Sequence, residues 1–298
     1  MDDADTFMAH RELMFSMAYR MLGTVADAED VVQDAWLRWS AAPRDDVAEP
    51  RAYLLRTVTN IALNRLRSAQ VRREAYVGPW LPEPLLTRTN HDITERAEVA
   101  ESVSVAMLVV LESLTPEERA VFVLREVFDF GYPEIAAALR RSEPTVRQIA
   151  HRARGHVQAR RPRFEVDREQ QRAVTARFLA AAVGGDINGL LEILAPDVTL
   201  ITDGGGIARA ALRPIRGADK VARALAGFAK RPYQGLALSD MSIEQIEING
   251  EPGALFVAGG RLIAAGTLTV VGGRVAAIQV VANPEKLDAI SAGRTLEL

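Results

Sequence analysis

The side chains best suited to chemistry in this 298-residue chain are concentrated between Gly131 and Arg163. Eight arginines fall between Arg140 and Arg163, and the only acid among them is Glu143. Guanidinium groups bind phosphates, and they can donate two hydrogen bonds to the edge of a guanine. This local cluster of positive charge therefore favours binding to nucleic acid.

Two short helices must position these arginines. The first is predicted from about 133 to 139, with a proline at its start and Ile135 and Leu139 on one face. Ser142 is a good N-cap for the second helix. A helix-turn-helix of this kind can place its second helix in the DNA major groove, although an ordinary hairpin with a solvated basic face is the alternative. The outward residues, and so the candidates for DNA contact, are Thr145, Arg147, Gln148, His151, Arg152 and Arg154.

Acidic residues crowd another predicted helix, within a helical stretch at 7–40 that breaks at Gly23-Thr24. The positive end of the helix dipole favours acids in a first turn. The apolar residues that follow are mostly explained by burial in the helix's own core, but an acidic surface beside apolar groups can also dock a partner helix. The docking candidates are Asp27, Glu29, Asp30, Val31, Val32, Asp34 and Trp36.

A third polar group lies on a helix predicted from Pro50 to about Ala69. Asn60 and Asn64 are four residues apart and therefore share a face. Amides flanked by arginines can read unstacked bases while the arginines hold phosphates, and a solvated face is the alternative. The candidates are Asn60, Asn64, Arg65 and Arg67.

Residues 75–95 interrupt the helical pattern, with three prolines between 79 and 84. This linker contains Trp80 and is apolar, so we expect it to lie against a surface. From about 167 the pattern changes to two helices followed by strand-like segments. Asn249-Gly250 and Gly272-Gly273 are predicted hairpin turns. Helices followed by a curved antiparallel sheet predict an α+β domain.

Composition narrows the class of protein. With 48% hydrophobic and 25% charged residues, the chain is typical of a soluble globular protein, and its net charge of −3 means that DNA binding must come from local patches. The lack of cysteine excludes disulfides, thiolate metal sites and thiol catalysis. The acidic N-terminus lacks the basic region of a signal peptide, and no apolar run is long enough to span a membrane. We therefore expect a cytoplasmic location, no membrane partner and no metal.

About the first 160 residues resemble an extracytoplasmic-function (ECF) sigma factor of bacterial RNA polymerase. Residues 27–34 resemble region 2.2, which docks on the clamp helices of core polymerase. Residues 50–54 and 60–67 resemble regions 2.3 and 2.4, which open and read the −10 promoter element. The family commonly has Asp at position 64, where this chain has Asn64.

The same family resemblance extends to the helix-turn-helix. Residues 114–119 resemble the start of region 4. Residues 134–136, 145–146 and 152–154 match region 4.2, which reads the −35 element. The resemblance implies that Arg147, Gln148 and Arg152 contact base edges, while His151 and Arg154 hold phosphates.

The rest of the chain resembles the subgroup of these factors with a fused SnoaL-like domain, an NTF2-type cone of helices around a curved sheet. The resemblance rests on the linker at 76–84, the loop at 203–206 and the tail at 283–287. In the subgroup, the fused domain sets activity through the linker and the glycine loop. The subgroup's basic residue after the glycines is replaced here by Ile207. The implied regulatory residues are Trp80, Asp203, Gly204, Gly205, Gly206, Asn283 and Pro284.

We therefore predict a multidomain protein: an all-α region 2 helical bundle at 1–70, a linker at 71–98, an all-α region 4 helix-turn-helix domain at 99–163, and an α+β SnoaL-like cone at 164–298. Its predicted function is an alternative sigma factor that binds core RNA polymerase and promoter DNA. We expect the cone to modulate its activity, and we expect no catalysis and no cofactor. The resemblance also allows an unidentified small ligand in the cone.

Two alternatives stay open at this point. The first is a one-component helix-turn-helix transcription factor, which would bind a palindromic site as a dimer. The second is a SnoaL-like cyclase or isomerase fused to a DNA-binding module. The second half of the chain contains no histidine, so Asp203 would be the acid candidate in such an enzyme.

Overall fold

The structure, a computed structural model, describes residues 3–42, 47, 49–88, 104–160, 168–230 and 240–297. The chain divides into two compact units. Unit 1 combines Met1–Ala75 with Leu108–Arg161, and unit 2 combines Tyr76–Met107 with Pro162–Leu298. The apolar linker from Tyr76 onward therefore belongs to the same unit as the C-terminal half. No described helix is long and apolar enough to cross a membrane.

The first half of unit 1 is a bundle of three helices, α1 (Asp3–Leu22), α2 (Val25–Ala41) and α3 (Pro50–Glu74). Gly23 has a φ of 74° and separates α1 from α2, which confirms the predicted break. The bundle buries apolar side chains from all three helices, among them Met17, Val31 and Val58. This packing fixes the direction in which the polar faces of α2 and α3 point.

The second half of unit 1 contains the helix-turn-helix. The helices described here are α4 (Val105–Leu111), α5 (Pro116–Phe122), α6 (Tyr132–Leu139) and α7 (Glu143–Arg160), and a π-helical turn, Val123–Val127, follows α5. Thr115 begins α5 with a capping box, because its hydroxyl accepts from the Glu118 N–H and the Glu118 carboxylate accepts from the Thr115 N–H. Arg140, at φ 53°, makes the turn between α6 and α7. The predicted inward residues are all buried: Val146, Ile149, Ala150 and Ala153.

A buried ionic network joins the two halves of unit 1. The Arg119 guanidinium is 1% exposed, and its Nε and Nη2 donate to the Arg20 carbonyl oxygen at 3.1 and 3.0 Å. Its Nη1 donates to the Glu112 carboxylate, which also pairs with Arg73. Arg73 in turn donates to the carbonyl oxygen of Leu22. Burial lowers the pKa of Arg119 to about 9, so the group stays charged at neutral pH and depends on Glu112 for its counter-charge.

Unit 2 is an α+β domain. Three helices, α8 (Arg168–Gly184), α9 (Ile187–Ile193) and α10 (Ala218–Lys230), pack on one face of a sheet. Phe178, Leu190, Val198, Leu268 and Ile278 lie in the shared core. The described strands are β1 (Leu86–Arg88), β2 (Leu194–Asp203), β3 (Ile215–Arg216), β4 (Met241–Ile248), β5 (Glu251–Ala258), β6 (Arg261–Val271), β7 (Arg274–Val281) and β8 (Thr295–Glu297).

The order of the described strands across the sheet is β3-β2-β7-β6-β5-β4-β1-β8. Strands β4 to β7 form an antiparallel meander, and the parallel strand β2 pairs with β7. Register shifts between β5 and β6 and between β6 and β7 add the local bends that curve a sheet. After β7, a 3₁₀ turn (Pro284–Lys286) and α11 (Asp288–Ser291) complete the tail.

Among the described elements of unit 2, helices α10 and α11 and strands β1, β3 and β8 were not predicted. Helix α10 carries a clear helical repeat in Val221, Ala222 and Leu225, and this signal was available in the sequence. Strand β1 has only three residues, too few to show a period. It pairs antiparallel with β4 and parallel with β8, so part of the linker is a strand of the sheet. The predicted turns at Asn249-Gly250 and Gly272-Gly273 are confirmed by their positive φ angles.

The buried network makes a stability prediction. Glu112→Ala removes the counter-charge of Arg119, and we expect a loss of about 3 kcal/mol because the guanidinium stays buried. Glu117→Ala is the matched control: its carboxylate pairs with the half-exposed Arg141, so we expect less than about 1 kcal/mol. Hydrogen exchange of the buried amides of α1 and α5 measures both losses. Equal protection in the two variants would contradict this role for Glu112.

Candidate functional site

The outer face of α7 presents five of the six residues predicted to contact DNA there. Thr145, Arg147, Gln148, His151 and Arg152 are exposed, while the apolar side of the helix is buried beneath them. The result is a polar, positively charged helix face over a rigid support, as major-groove recognition requires.

Two neighbours, one acidic and one aromatic, hold Arg147, the first arginine of this face. The Arg147 Nε donates to the Glu143 carboxylate at 3.0 Å, and its guanidinium lies 4.4 Å from the centre of the Tyr132 ring. A guanidinium held in this way loses less rotamer freedom when it binds a partner. Arg147 is therefore preorganised at the exposed face.

Arg154, the sixth predicted DNA residue, occupies a different environment. Its Nε donates to the Glu126 carboxylate at 2.9 Å, and its Nη2 donates to the Tyr132 hydroxyl at 2.9 Å. These hydrogen bonds raise the pKa of Arg154. Arg154 thus braces α7 against the preceding segment, and contact between Arg154 and a DNA phosphate stays a prediction.

The residues predicted to read the −10 element on α3 are only partly brought together. Asn64 is exposed, whereas Asn60 is half-buried and its Nδ2 donates to the Arg56 carbonyl at 2.7 Å and to the Ala138 carbonyl of α6 at 3.3 Å. Arg67 is exposed and lies 3.6 Å from Glu117. The packing of α3 against α6 therefore covers part of the face that was predicted to meet DNA.

Arg65 points away from the two asparagines, toward α2. Its Nη1 donates to Asp30 at 2.8 Å and its Nη2 to Asp34 at 2.9 Å. Partial desolvation lowers the pKa of Arg65, but the hydrogen bonds to the two carboxylates outweigh it and the net shift is upward. Arg65 is thus the cation of the acidic group on α2.

We call Asp27, Glu29, Asp30 and Asp34 the acidic ridge. Asp27 accepts from the Thr24 hydroxyl at 2.7 Å, and Glu29 pairs with Arg11 at 2.7 Å. The predicted docking surface also included Val31 and Val32, but both are buried and support the ridge from below. Trp36 is half-buried and packs edge-on against Phe7, with ring centres 5.0 Å apart.

In unit 2, the carboxylate of Asp203 is the centre of a buried hydrogen-bond network. Its Oδ2 accepts from the Leu81 N–H at 2.8 Å and from the Lys286 Nζ at 2.6 Å. Its Oδ1 accepts from the Tyr76 hydroxyl at 2.6 Å and from the Gly205 N–H at 3.1 Å. Burial and the bond to Asp203 raise the pKa of Tyr76. One carboxylate thus joins the linker, the glycine loop and the tail.

Lys286, like Tyr76 and Leu81, belongs to this network but was not among the predicted regulatory residues. Its Nζ also donates to the Leu81 carbonyl at 2.6 Å, and it lies 4.1 Å from the centre of the Trp80 ring and 4.8 Å from that of Tyr76. A buried ammonium needs both a counter-charge and hydrogen-bond acceptors, and here it has both. Lys286 lies within the tail at 283–287 that carries the family resemblance, and this position was the sequence signal that could have identified it.

The three glycines allow their loop to come close to the linker and the tail. A Cβ on Gly206, which has a φ of 75°, would lie 3.1 Å from the Val77 Cβ. A Cβ on Gly204 would lie 2.8 Å from the Ala210 Cβ, and one on Gly205 would collide with the Asn283 amide. The Asn283 Nδ2 donates to the Tyr76 hydroxyl at 3.0 Å, and Pro284 begins the turn that carries Lys286.

The predicted regulatory residues therefore meet in one place. We call Tyr76, Leu81, Asp203, Gly205, Asn283 and Lys286 the latch, and its contacts lie wholly within unit 2. It holds linker residues 76–81 on the C-terminal domain, and β1 holds residues 86–88 in the sheet.

Comparison with known proteins identifies the two halves of unit 1. Residues 6–72 match the family model for sigma-70 region 2, and residues 104–157 match that for sigma-70 region 4. These matches cover the bundle with the acidic ridge and the helix-turn-helix, respectively.

Full-length relatives cover both units. The chain is 40% identical over 294 residues to the ECF RNA polymerase sigma factor SigJ of Mycobacterium tuberculosis, covering 95% of this chain and 93% of that protein. It is 32% identical over 286 residues to the probable ECF RNA polymerase sigma factor SigI of the same species, covering 95% and 94%. The crystal structure of M. tuberculosis SigJ matches with a TM-score of 0.75 at 38% identity, over 96% of this chain and 98% of that one.

These findings confirm the predicted fold class, in which helical sigma domains precede an α+β domain. The similarity extends over nearly the whole length of both chains, so it includes the C-terminal unit as well as the two sigma regions. The chain belongs to the ECF sigma factor family of bacterial RNA polymerase.

Proposed function

We propose that this sigma factor docks on core polymerase with the acidic ridge, reads promoter DNA with α3 and α7, and is restrained by its own C-terminal unit through the latch. Sigma factors are not enzymes: they give polymerase its promoter specificity. As a partner of polymerase and DNA, this protein acts in the cytoplasm. The observation that carries the proposal is that the linker between the two sigma regions is folded into the C-terminal unit.

The geometry of a promoter explains why the linker matters. The −10 and −35 elements are separated by roughly 25 base pairs, or about 85 Å of B-DNA. In this structure α3 and α6 are in contact, because Asn60 donates to the Ala138 carbonyl. The two sigma regions must therefore separate before both elements can be read at once.

The linker sets how far they can separate. The predicted linker, 71–98, begins inside α3, which ends at Glu74, so roughly 24 residues remain and they reach at most about 85 Å when fully extended. Residues held by the latch and by β1 cannot extend, so the reach that remains is well short of the promoter distance. Releasing the latch then raises the fraction of molecules able to bind both elements.

We assign no catalytic role to Asp203. Its carboxylate already accepts from Leu81, Lys286, Tyr76 and Gly205, so no lone pair is directed at a substrate. This supports the sigma-factor reading of the C-terminal unit over the cyclase or isomerase alternative. A pull-down with core polymerase separates the proposal from a one-component transcription factor, which does not bind core.

The first prediction concerns the −35 reader. Arg147→Ala and Arg152→Ala each remove an exposed guanidinium from α7, and each should cost ~1–3 kcal/mol of discrimination between the native −35 sequence and a mutated one. Arg172→Ala, in unit 2, is the control and should leave this preference unchanged. Binding titrations of polymerase holoenzyme on both sequences measure the effect. Intact preference in both α7 variants would mean that another element reads the −35 sequence.

The second prediction concerns docking. Asp30→Arg reverses a charge at the centre of the acidic ridge and sets it beside Arg65, so affinity for core polymerase should fall roughly tenfold at low salt. Asp219→Arg, on an exposed side chain of unit 2, is the matched charge reversal and should have little effect. Titration with labelled core measures both. Unchanged affinity of Asp30→Arg, with an unaltered circular dichroism spectrum, would exclude this surface.

The third prediction concerns the latch. Asp203→Asn and Lys286→Met each break the buried ion pair at a cost of about 3–5 kcal/mol to the latched state. Each should increase run-off transcription relative to the intact chain, and the double variant should add little to the single ones, because one interaction is being removed. Asp197→Asn, an exposed acid on the same strand, is the control.

The comparison requires equal concentrations of folded protein and saturating core polymerase. If both latch variants transcribe at the level of Asp197→Asn and of the unaltered chain, the C-terminal unit does not restrain the linker. Reduced transcription with normal core binding would show that the latched form is the active one, and would also overturn the proposal.

A further inference from the structure

Unit 2 contains two adjoining hollows between its helices and the sheet. One has a volume of about 170 Å³ and the other about 130 Å³. They share four lining residues: Leu225, Phe228, Phe256 and Val280. Each has room for on the order of ten water-sized groups, so together they can take a molecule of two fused rings or a short chain.

The walls of the hollows are apolar almost throughout. The hydroxyls that line them are already engaged: Thr202 bonds to the Ala211 main chain, Thr175 donates to the Gln171 carbonyl at 2.8 Å, and Thr267 bonds to Gln279. Apolar side chains that face a hollow forgo the packing contacts of a filled core. An apolar molecule would restore those contacts, and cavities of this kind bind apolar ligands.

A single charged residue, Arg209, is among the described residues that line the larger hollow. Its side chain is exposed, and within the described part of the chain no acid lies at ion-pair distance from it. A guanidinium at the rim of an apolar pocket is suited to pair with one carboxylate or sulfonate. Shape and charge therefore specify an apolar body that carries one anionic group.

The larger hollow also shares a wall with the latch. Thr202 and Ala282 line it, and they directly precede Asp203 and Asn283. The Ala282 N–H donates to the Asp203 carbonyl at 2.7 Å. Arg209 and Ala210 lie in the loop that folds back on Gly204. A molecule in this hollow thus touches the residues next to the latch on both strands and in the glycine loop.

We propose that the hollow is a binding site for an apolar monoanion, with Arg209 as its anion-binding residue, and that occupancy is coupled to the latch. The coupling rests on the proposed function, whereas the binding does not. By reciprocity, a ligand that favours one state of the latch must bind differently when the latch is broken.

The test uses two fluorescent probes with the same aromatic body. 8-Anilinonaphthalene-1-sulfonate is anionic, and N-phenyl-1-naphthylamine lacks the sulfonate. The full-length protein should bind one equivalent of each. Arg209→Gln should weaken binding of the sulfonate about tenfold or more, the amount set by one lost charged hydrogen bond, and leave the neutral probe within twofold. Arg213→Gln, an exposed arginine of the same loop that does not line the hollow, is the matched control.

Ala264→Phe and Val280→Phe place a ring in the hollow and should abolish binding of both probes. Circular dichroism identifies a variant that fails to fold, and two filling positions keep the test valid if one of them fails. The proposal is overturned if the native chain shows no saturable one-to-one binding, or if binding survives in folded filling variants. It is also overturned if Arg209→Gln and Arg213→Gln behave alike toward the sulfonate.

Coupling is measured with the same sulfonate probe on Asp203→Asn, whose Kd should differ at least threefold from that of the native chain. An equal Kd overturns the coupling. Because these titrations contain no polymerase, their failure is distinct from a failure of the latch, which is judged by transcription alone. Asp197→Asn again serves as the control, with an expected Kd equal to that of the native chain.

Discussion

The ion pair between Asp203 and Lys286 is the interaction on which the C-terminal half of the structure depends. A buried carboxylate and a buried ammonium are tolerated only when each has its counter-charge and its hydrogen-bond partners. The Leu81 N–H, the Tyr76 hydroxyl and the Gly205 N–H provide the remaining partners of Asp203. The linker, the glycine loop and the tail lie far apart in the sequence, and all three are held together by contacts with the Asp203 carboxylate.

Unit 1 also contains a buried ionic network, which joins its two halves. Arg119, Glu112 and Arg73 form a largely buried network that ties the helix-turn-helix half to the bundle through the Arg20 and Leu22 carbonyls. Removing one partner of such a network is costly because it leaves the other charge buried and unpaired, whereas opening the interface returns all of these charges to water. The network therefore selects which groups meet in the compact arrangement, and it does not set the free energy of opening. Under the proposed function, binding of polymerase and DNA favours separation of the two sigma regions by preferring the open state.

The local signals in the sequence predicted unit 1 well. A proline start, a serine cap and a clean apolar period located α6 and α7, and the buried positions of α7 were correct. The errors came from contacts between residues far apart in the chain. Lys286 lies 83 residues from Asp203, so nothing local marks them as partners. Strand β1 is too short to show alternation, and the bonds from Arg65 to Asp30 and Asp34 of α2 join residues more than 30 positions apart, so the sequence did not indicate them.

Arg65 lies between two parts of the proposed function, docking on polymerase and reading of the −10 element. Its guanidinium is bonded to Asp30 and Asp34, so one side chain belongs both to the predicted −10 reader and to the acidic ridge. Under the proposed function, a polymerase surface that binds these two carboxylates would compete with Arg65 for them and would release its guanidinium for the phosphates of the −10 strand. Ion pairs near the surface contribute little free energy, so replacing Arg65 by a polymerase group at Asp30 and Asp34 costs little in either direction. If both proposed sites are correct, docking on polymerase and reading of the −10 element are linked through Arg65, and by reciprocity each favours the other.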